Sequence, residues 1–291
     1  MSQTPTPRLR TASLSDVGRV RSANQDEVSE FEGAGGARLL VVADGMGGHA
    51  GGEVASATSV AAIGEYFGSA GQEEPQTLLR NALEAANERV FRQGNDDPAL
   101  FGMGTTAVAV LIDGHGATWV AHVGDSRAYR LHQGQLECLT EDHSWVQEQV
   151  RMARLTPEEA EVHPRRNALM RSIGVDRDVE VDVRPVEVAA GDWLLLCSDG
   201  LWGELDDGTI AAVLAEGDPE MAVHRLVDLA NEAGGHDNVT VAVAVIPEGP
   251  AAAAPRSRGP AEPAEKSRSS RLALTVAGVL VAALALWRVC A

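Results

Sequence analysis

The sequence is poor in cysteine and in basic residues, and each shortage excludes a class of protein. Three cysteines, Cys138, Cys197 and Cys290, are too few for a disulfide framework and favour a reducing compartment. Lys and Arg number 24 against 42 Asp and Glu, which gives a net charge of −18 at pH 7. Because nucleic-acid binding relies on Lys and Arg contacts to phosphate, no nucleic-acid partner is expected. The first thirty residues also lack a hydrophobic stretch, so no signal peptide is predicted.

One long apolar run is present, near the C-terminus. Residues 247–270 are rich in Ala, Pro, Ser, Arg and Glu, which is typical of a disordered linker. Residues 271–289 then form an almost uncharged segment that predicts a transmembrane helix acting as a tail anchor. The basic residues before this segment favour a cytoplasmic location for everything N-terminal to it, on a single-pass protein of the cell membrane. The alternative is a buried core helix.

The remaining sequence, residues 11–246 after a flexible N-terminus at 1–10, alternates between strand and helix patterns. Two helices follow the first strand, a run of strands comes next, and two helices return before a final strand. This order predicts an α+β fold with an antiparallel sheet core and helices packed outside. Strands are predicted at 38–43, 104–112, 118–123, 128–132, 136–139, 181–188, 193–198 and 239–246, and helices at 53–67, 76–93, 210–216 and 219–232.

Carboxylates recur where apolar strands end. Asp44-Gly45 and Asp199-Gly200 each follow a buried run, Asp125 follows another, and Asp237 precedes the last strand. Aspartates at the edges of separate strands suggest a site for a hard divalent cation. A carboxylate that bridges two such ions can hold them about 4 Å apart, and Asp44 is the natural bridge because the Gly45 carbonyl can reach one ion. Arg21 is the candidate phosphate anchor, since a guanidinium can bind two phosphate oxygens at once.

Six segments in this order resemble the metal-dependent protein serine/threonine phosphatases of the PP2C (PPM) family, and in particular its bacterial members. A single Asp-Gly is usually a turn, but six motifs in the family's order and approximate spacing are specific. The segments are Asp16-Val17-Gly18-Arg19-Val20-Arg21-Ser22-Ala23-Asn24-Gln25-Asp26, Asp44-Gly45-Met46-Gly47-Gly48-His49, Gly104-Thr105-Thr106, Gly124-Asp125-Ser126-Arg127, Ser198-Asp199-Gly200-Leu201 and Asp237-Asn238.

The resemblance implies a four-layer α-β-β-α sandwich of two antiparallel sheets flanked by helices, and it assigns site residues. It implies that two Mn²⁺ or Mg²⁺ ions, with a third at a weaker site, are bound in a cleft at one end of the sandwich. The metal ligands implied are Asp44, the Gly45 carbonyl, Asp199, Asp237 and, for the third ion, Asp125. Arg21 is implied to bind phosphate, Asp26 to support the metal waters, and residues 144–175 to form a flap beside the cleft.

Each assignment has a plainer alternative. Arg21 is otherwise a surface arginine, Asp26 caps a turn or pairs locally, and Asp125 pairs with Arg127. His49, His143 and His163 are otherwise ordinary loop histidines. Met46 stands where some eukaryotic members have a histidine proposed as general acid, which leaves that role open between His49 and a metal-bound water.

The predicted activity is hydrolysis of phosphoserine and phosphothreonine esters by a water activated between two metal ions, with no covalent intermediate. The expected partners are phosphorylated proteins, especially serine/threonine kinases and their substrates, and the lipid bilayer through the C-terminal helix. Two alternatives stay open. One is a pseudophosphatase that binds phosphoproteins without turnover, and the other is a hydrolase of small phosphate esters on the same fold.

Overall fold

The computed structural model describes residues 9–47, 51–71 and 73–247. His49, most of the predicted N-terminal segment, nearly all of the predicted linker and the predicted transmembrane segment lie outside these residues. Among the helices in the described ranges, none combines the length and the apolar character that crossing a bilayer requires.

Two antiparallel sheets form the centre of the protein. The first has the strand order β1-β11-β10-β7-β8, and the second has the order β2-β3-β5-β6-β9 with a short β4 paired to β3. The strands are β1 Arg10–Asp16, β2 Asp26–Glu32, β3 Arg38–Met46, β4 Gly104–Thr105, β5 Ala107–Ile112, β6 Thr118–Val123, β7 Arg127–His132, β8 Gln135–Cys138, β9 Asp182–Val186, β10 Trp193–Cys197 and β11 Val239–Val245.

Helices cover the outer faces of both sheets. The helices are α1 Gly51–Ser69, α2 Pro75–Asp96, α3 Trp145–Arg151, α4 Pro157–Glu161, α5 Asp199–Trp202, α6 Asp207–Leu214 and α7 Pro219–Ala233. One buried cluster joins α1 and α2 to the second sheet, and another joins α6 and α7 to the first. A third cluster, which includes Leu40, Val110 and Leu196, lies between the sheets. These three apolar layers confirm the predicted α+β sandwich.

The strand register brings the predicted site segments to one end of each sheet. In the first sheet the end of β1 pairs with the start of β11, and the end of β10 pairs with the start of β7. In the second sheet Asp26 opens β2 directly opposite Asp44 on β3. Segments that are far apart in sequence therefore supply their polar residues to common edges.

The structure corrects several predicted boundaries. β1 and β2 are not predicted from the sequence, because β1 has a single buried side chain, Ala12, and β2 is an acid-rich edge strand. β3 does not end before Asp44 but continues to Met46, where it pairs with β4. The strand predicted at 104–112 is divided into β4 and β5 at Thr106. Thr106 leaves the ladder because its N–H donates to the Asp44 carbonyl at 2.8 Å and its hydroxyl accepts from the Asp44 N–H at 2.9 Å.

Gln133 and Gly134 form the turn of the β7–β8 hairpin. His132 pairs with Gln135 across a two-residue turn, in which Gln133 has φ 49° and Gly134 has φ 79°. Positive φ at both central positions is the backbone geometry that matches the twist of the two flanking strands.

Candidate metal and phosphate site

Asp44 and Asp26 face each other across the β2–β3 ladder, and Asp26 is buried while Asp44 is partly buried. The Ser198 hydroxyl donates to Asp26 Oδ2 at 2.7 Å. Burial raises the pKa of Asp26 to about 7 in spite of this hydrogen bond. Burial raises the pKa of Asp44 well above its usual value, and the charges of Asp26 and Asp199 raise it further. The site therefore holds carboxylates that water solvates poorly.

Asp199 begins the short helix α5 directly after β10. Its pKa is raised by burial and by the charge of Asp237. The Asp199 Oδ1 atom is buried and has no hydrogen-bond partner. A buried carboxylate oxygen without a donor costs free energy unless a cation or a proton satisfies it. The orphaned oxygen is thus the atom of this cluster that most directly fits a divalent cation.

Asp237 and Arg21 form an ion pair at the more exposed side of the cluster. Arg21 Nη2 lies 2.6 Å from Asp237 Oδ2, and about half of the Arg21 side chain is exposed. Gly18 shapes the loop that carries Arg21, since it has φ +81° and a Cβ there would lie 2.1 Å from the Asp237 carbonyl oxygen. A guanidinium in this position can meet an incoming phosphate while it remains next to a predicted metal ligand.

Asp125 is buried in the turn between β6 and β7. Burial raises its pKa to about 7, and the charge of Asp199 contributes in the same direction. The alternative pairing with Arg127 is not what the structure has, because Arg127 makes two hydrogen bonds to Asp142, at 3.0 and 2.8 Å. The Arg127 guanidinium also lies 3.8 Å from the centre of the Trp202 ring. Asp125 is left facing the acid cluster.

Gly45 occupies a position that admits no side chain. Its N–H donates to the Gln25 carbonyl at 3.0 Å, and a Cβ would lie 2.1 Å from the Gly52 carbonyl oxygen. This close packing of α1 against β3 explains the Asp-Gly sequence on backbone grounds. The predicted use of the Gly45 carbonyl as a metal ligand stays a prediction.

The structure thus brings together the predicted acids from five separate segments. The charges of Asp26, Asp125, Asp199 and Asp237 all raise the pKa of Asp44, so the five acids lie within electrostatic reach of one site. Mg²⁺ and Mn²⁺ prefer oxygen ligands that are held on rigid elements. They also prefer sites whose negative charge is greater than the nearby cationic side chains offset. The ligand chemistry of the cluster therefore fits divalent cations.

Several residues that support the site were not singled out from the sequence. Ser198 holds Asp26, Thr106 holds the backbone of Asp44, and Trp202 Nε1 donates to the Asp125 carbonyl at 3.1 Å. Asn238 clamps the Arg21 loop, because its amide donates to Val17 and Ala23 carbonyls at 2.9 Å each and its Oδ1 accepts from the Gln25 N–H. The motifs quoted from the sequence contain three of these residues, Thr106, Ser198 and Asn238, but only tertiary contacts reveal their roles.

The predicted flap, residues 144–175, contains the helices α3 and α4. His163 lies within it against Trp145, with ring centres 4.9 Å apart, and its Nδ1 accepts from the Arg165 N–H. These contacts support the interpretation of His163 as an ordinary loop histidine. His143 immediately precedes the flap and contacts Gly124, the residue before Asp125.

The fold and the acid cluster define a two-sheet α+β protein with a carboxylate-rich centre suited to divalent metal ions. Comparison with known proteins is consistent with this class. The chain belongs to the protein phosphatase 2C family, whose model matches residues 18–232.

Named relatives are bacterial phosphatases. The chain is 44% identical over 238 residues to the serine/threonine protein phosphatase PstP of Mycobacterium tuberculosis, a match that covers 82% of this chain and 45% of PstP. This chain therefore matches about half the length of that relative. It is 37% identical over 239 residues to the protein phosphatase PhpP of Streptococcus pneumoniae, covering 81% of this chain and 96% of PhpP. A crystal structure of the PstP catalytic domain in complex with two manganese ions superposes with a TM-score of 0.73 at 40% identity, covering 84% of this chain and 100% of that chain.

Proposed function

We propose that this protein is a metal-dependent phosphatase that removes phosphate from phosphoserine and phosphothreonine in proteins. The observation that carries the proposal is the buried cluster around Asp44, with an unpartnered Asp199 oxygen inside it and the Arg21 guanidinium at its exposed side. The phosphatase names of PstP and PhpP and the two manganese ions of the PstP structure support it.

In this proposal Asp44, Asp199, Asp237 and the Gly45 carbonyl hold two Mn²⁺ or Mg²⁺ ions, and Asp125 serves a third. When bound, such ions lower the pKa of water and stabilise negative charge on a phosphoryl group. Arg21 binds and orients the phosphate for in-line attack. The Ser198 hydroxyl fixes the Asp26 carboxylate, which in turn orients the waters of the cluster through hydrogen bonds. Neither Cys138 nor Cys197 is assigned a catalytic role, since Cys197 is buried in β10 and Cys138 lies at the exposed end of β8.

Substrate class is tested by comparing kcat/KM on a phosphothreonine peptide with kcat/KM on a small phosphate ester, at saturating Mn²⁺. We expect the peptide to be the better substrate, because residues flanking the phosphate add contacts that a small ester lacks. A preference for the small ester would favour a metabolite hydrolase. Tight binding of the peptide with no turnover would favour a pseudophosphatase.

The proposal extends to cellular location and domain organisation. The phosphatase domain spans 11–246, and residues 247–270 link it to a transmembrane tail anchor at 271–289 that keeps the domain on the cytoplasmic side. Support comes from the apolar composition of 271–289 and the basic residues before it. Anchoring would raise the local concentration of membrane-associated phosphorylated kinases and their substrates, which we propose as partners.

The anchor is tested by fractionating lysed cells that express the full chain or a variant lacking residues 271–291. The full chain is expected in the membrane fraction and the shortened chain in the supernatant. Recovery of both forms in the supernatant would contradict the anchor and leave the proposed activity untouched.

A further inference from the structure

A second group of potential ligands lies outside the acid cluster. His122, His143 and Asp182 each place one ligand atom within 4.8 Å of the others. Two observations argue against a metal site here. The imidazole rings are stacked, with centres 4.5 Å apart and planes 27° apart, so their in-plane lone pairs do not converge on one ion. The Arg171 guanidinium also lies in the group, with Nη1 3.1 Å from Asp182 Oδ1 and 3.3 Å from His143 Nε2.

His143 instead binds both backbone polar groups of Gly124, in the turn that carries Asp125. Its backbone N–H donates to the Gly124 carbonyl at 3.0 Å, and its Nδ1 accepts from the Gly124 N–H at 3.2 Å. Burial lowers the pKa of His143 to about 4, so the imidazole is neutral at pH 7 and Nδ1 is free to accept. Nε2 then carries the proton and faces Asp182 Oδ2 at 3.4 Å.

Gly124 occupies a position that admits no side chain. Its φ is +104°, and a Cβ there would lie 2.6 Å from the Thr106 side chain. The next residue, Asp125, is held from the opposite side by Trp202, which donates its indole N–H to the Asp125 carbonyl. Trp202 is the last residue of α5, the helix that Asp199 begins. The turn is therefore fixed relative to Asp199 by His143 on one side and Trp202 on the other.

His143 also joins the two ends of the flap. Its carbonyl accepts from the Met170 N–H at 2.7 Å, and Trp145 N–H donates to the Ala168 carbonyl at 2.7 Å. Arg171 continues the connection from Met170 to strand β9, through ion pairs with Glu180 at 2.9 Å and with Asp182. His143 thus contacts both Met170, near the C-terminal end of the flap, and the turn beside the acid cluster.

We propose that His143 is a positioning residue, which sets the place of Asp125 relative to Asp199 through its hydrogen bond to the Gly124 N–H and ties that turn to the flap. The inference rests on the proposed function for the role of Asp125 as a weak metal ligand. His143 contacts neither phosphate nor metal in this account and acts through Gly124, the residue that precedes Asp125.

Two substitutions separate the hydrogen bond from the bulk of the ring. His143→Asn keeps an acceptor, because the Asn Oδ1 atom occupies the place of Nδ1, whereas His143→Leu removes it. Mn²⁺ is titrated into each full-length variant by calorimetry, and steady-state rates are measured on a phosphothreonine peptide. We expect His143→Leu to weaken the weakest Mn²⁺ site by about tenfold and to lower kcat at fixed Mn²⁺, as loss of an outer hydrogen bond to a metal centre does. The Mn²⁺ affinity and kcat of His143→Asn are expected to stay within about twofold of wild type. The KM for the peptide, measured at saturating Mn²⁺, is expected to be unchanged in both variants.

A double-mutant cycle with Asp125→Asn tests whether His143 acts through Asp125. In the Asp125→Asn background, His143→Leu is expected to have no further effect on Mn²⁺ affinity or kcat. His132→Leu is the matched control, because His132 is a histidine paired with a buried aspartate, Asp192 at 2.7 Å, in the β7–β8 hairpin. Thermal melting of each variant reports whether it is folded.

Equal impairment of the Asn and Leu variants, or a full effect of His143→Leu in the Asp125→Asn background, would overturn the positioning role. An inactive wild type would contradict the proposed function instead. The Mn²⁺ titration would then still decide the inference, because it requires no turnover.

Discussion

At the scale of single residues, the five aspartates of the acid cluster carry most of the account. Asp44, Asp125, Asp199 and Asp237 could be found from sequence because each adjoins an apolar strand and stands beside Gly or Asn. Their supports could not be found in the same way. The Ser198 hydroxyl that holds Asp26 is 172 residues away along the chain, so nothing local in either segment indicates the contact. Sequence patterns thus identify the charged groups, and only the fold identifies what orients them.

Replacing Arg21 tests the phosphate anchor. Arg21→Gln is expected to raise KM for a phosphothreonine peptide by about tenfold or more, since a hydrogen bond to a charged group contributes roughly 1.5–3 kcal/mol. Arg19→Gln, an exposed arginine two residues earlier on the same loop, is the control and should change KM by less than about twofold. Steady-state kinetics at saturating Mn²⁺ decide the matter. Similar KM values for Arg21→Gln and wild type would show that Arg21 does not bind the phosphate of the substrate.

At the scale of elements, regular apolar patterns predicted most strands and helices, and the failures have physical causes. β1 and β2 bury few side chains and lie at sheet edges, so their sequences do not alternate strongly. The division at Thr106 results from its hydrogen bonds to Asp44, which no periodicity encodes. The positions where prediction from sequence fails on β3 and β4 are those that form the site.

A pair of glycine substitutions tests how tightly α5 is packed against the start of β11. A Cβ on Gly200 would lie 2.0 Å from the Asn238 carbonyl oxygen, whereas a Cβ on Gly68 in α1 meets nothing within 4 Å. Gly200→Ala is expected to lower the free energy of unfolding by about 1–3 kcal/mol, through overpacking. Gly68→Ala should leave it unchanged or raise it by up to about 1 kcal/mol, because alanine favours the helix. Urea unfolding measures both, and equal stabilities for the two variants would refute the packing described for α5.

At the scale of the whole molecule, the dominant feature is an excess of acid, 42 Asp and Glu against 24 Lys and Arg, part of it buried in one cluster. Buried carboxylates oppose folding when they are charged, and bound cations offset that cost. Composition alone cannot separate the buried acids from those of a solvated surface. The C-terminal segment at 271–289 stays a prediction from composition.

The buried acids predict an unusual pH dependence for the metal-free protein. The folded-state pKa of Asp26 is about 7, above its unfolded value near 4, so the stability it contributes is fully present below pH 4 and is lost as pH rises to 7. Wild type is therefore expected to lose stability relative to Asp26→Asn as pH rises from 5 to 7.5, by at most about 1.4 kcal/mol per pH unit. Comparison with the variant is needed because His122 and His143, whose pKa values are lowered by burial, act in the opposite direction as pH falls through about 6.5.

Chemical denaturation in the presence of a chelator, at several pH values, measures this difference. A difference in unfolding free energy that does not vary between pH 5 and 7.5 would mean that Asp26 titrates normally. The acid cluster would then be more hydrated than the structure shows.

The central claim is that the cluster around Asp44 and Asp199 binds metal ions that drive phosphate ester hydrolysis. The most direct test measures phosphate release from a phosphothreonine peptide by the full chain, with and without Mn²⁺, for wild type, Asp199→Asn and Asp207→Asn. Asp207 is the control because it too begins a helix, α6, and is exposed. The account predicts release that requires Mn²⁺, persists in Asp207→Asn and falls on the order of 100-fold or more in Asp199→Asn, beyond the loss typical of an outer hydrogen bond to a metal centre. Release without any metal, or undiminished release by Asp199→Asn, would contradict it.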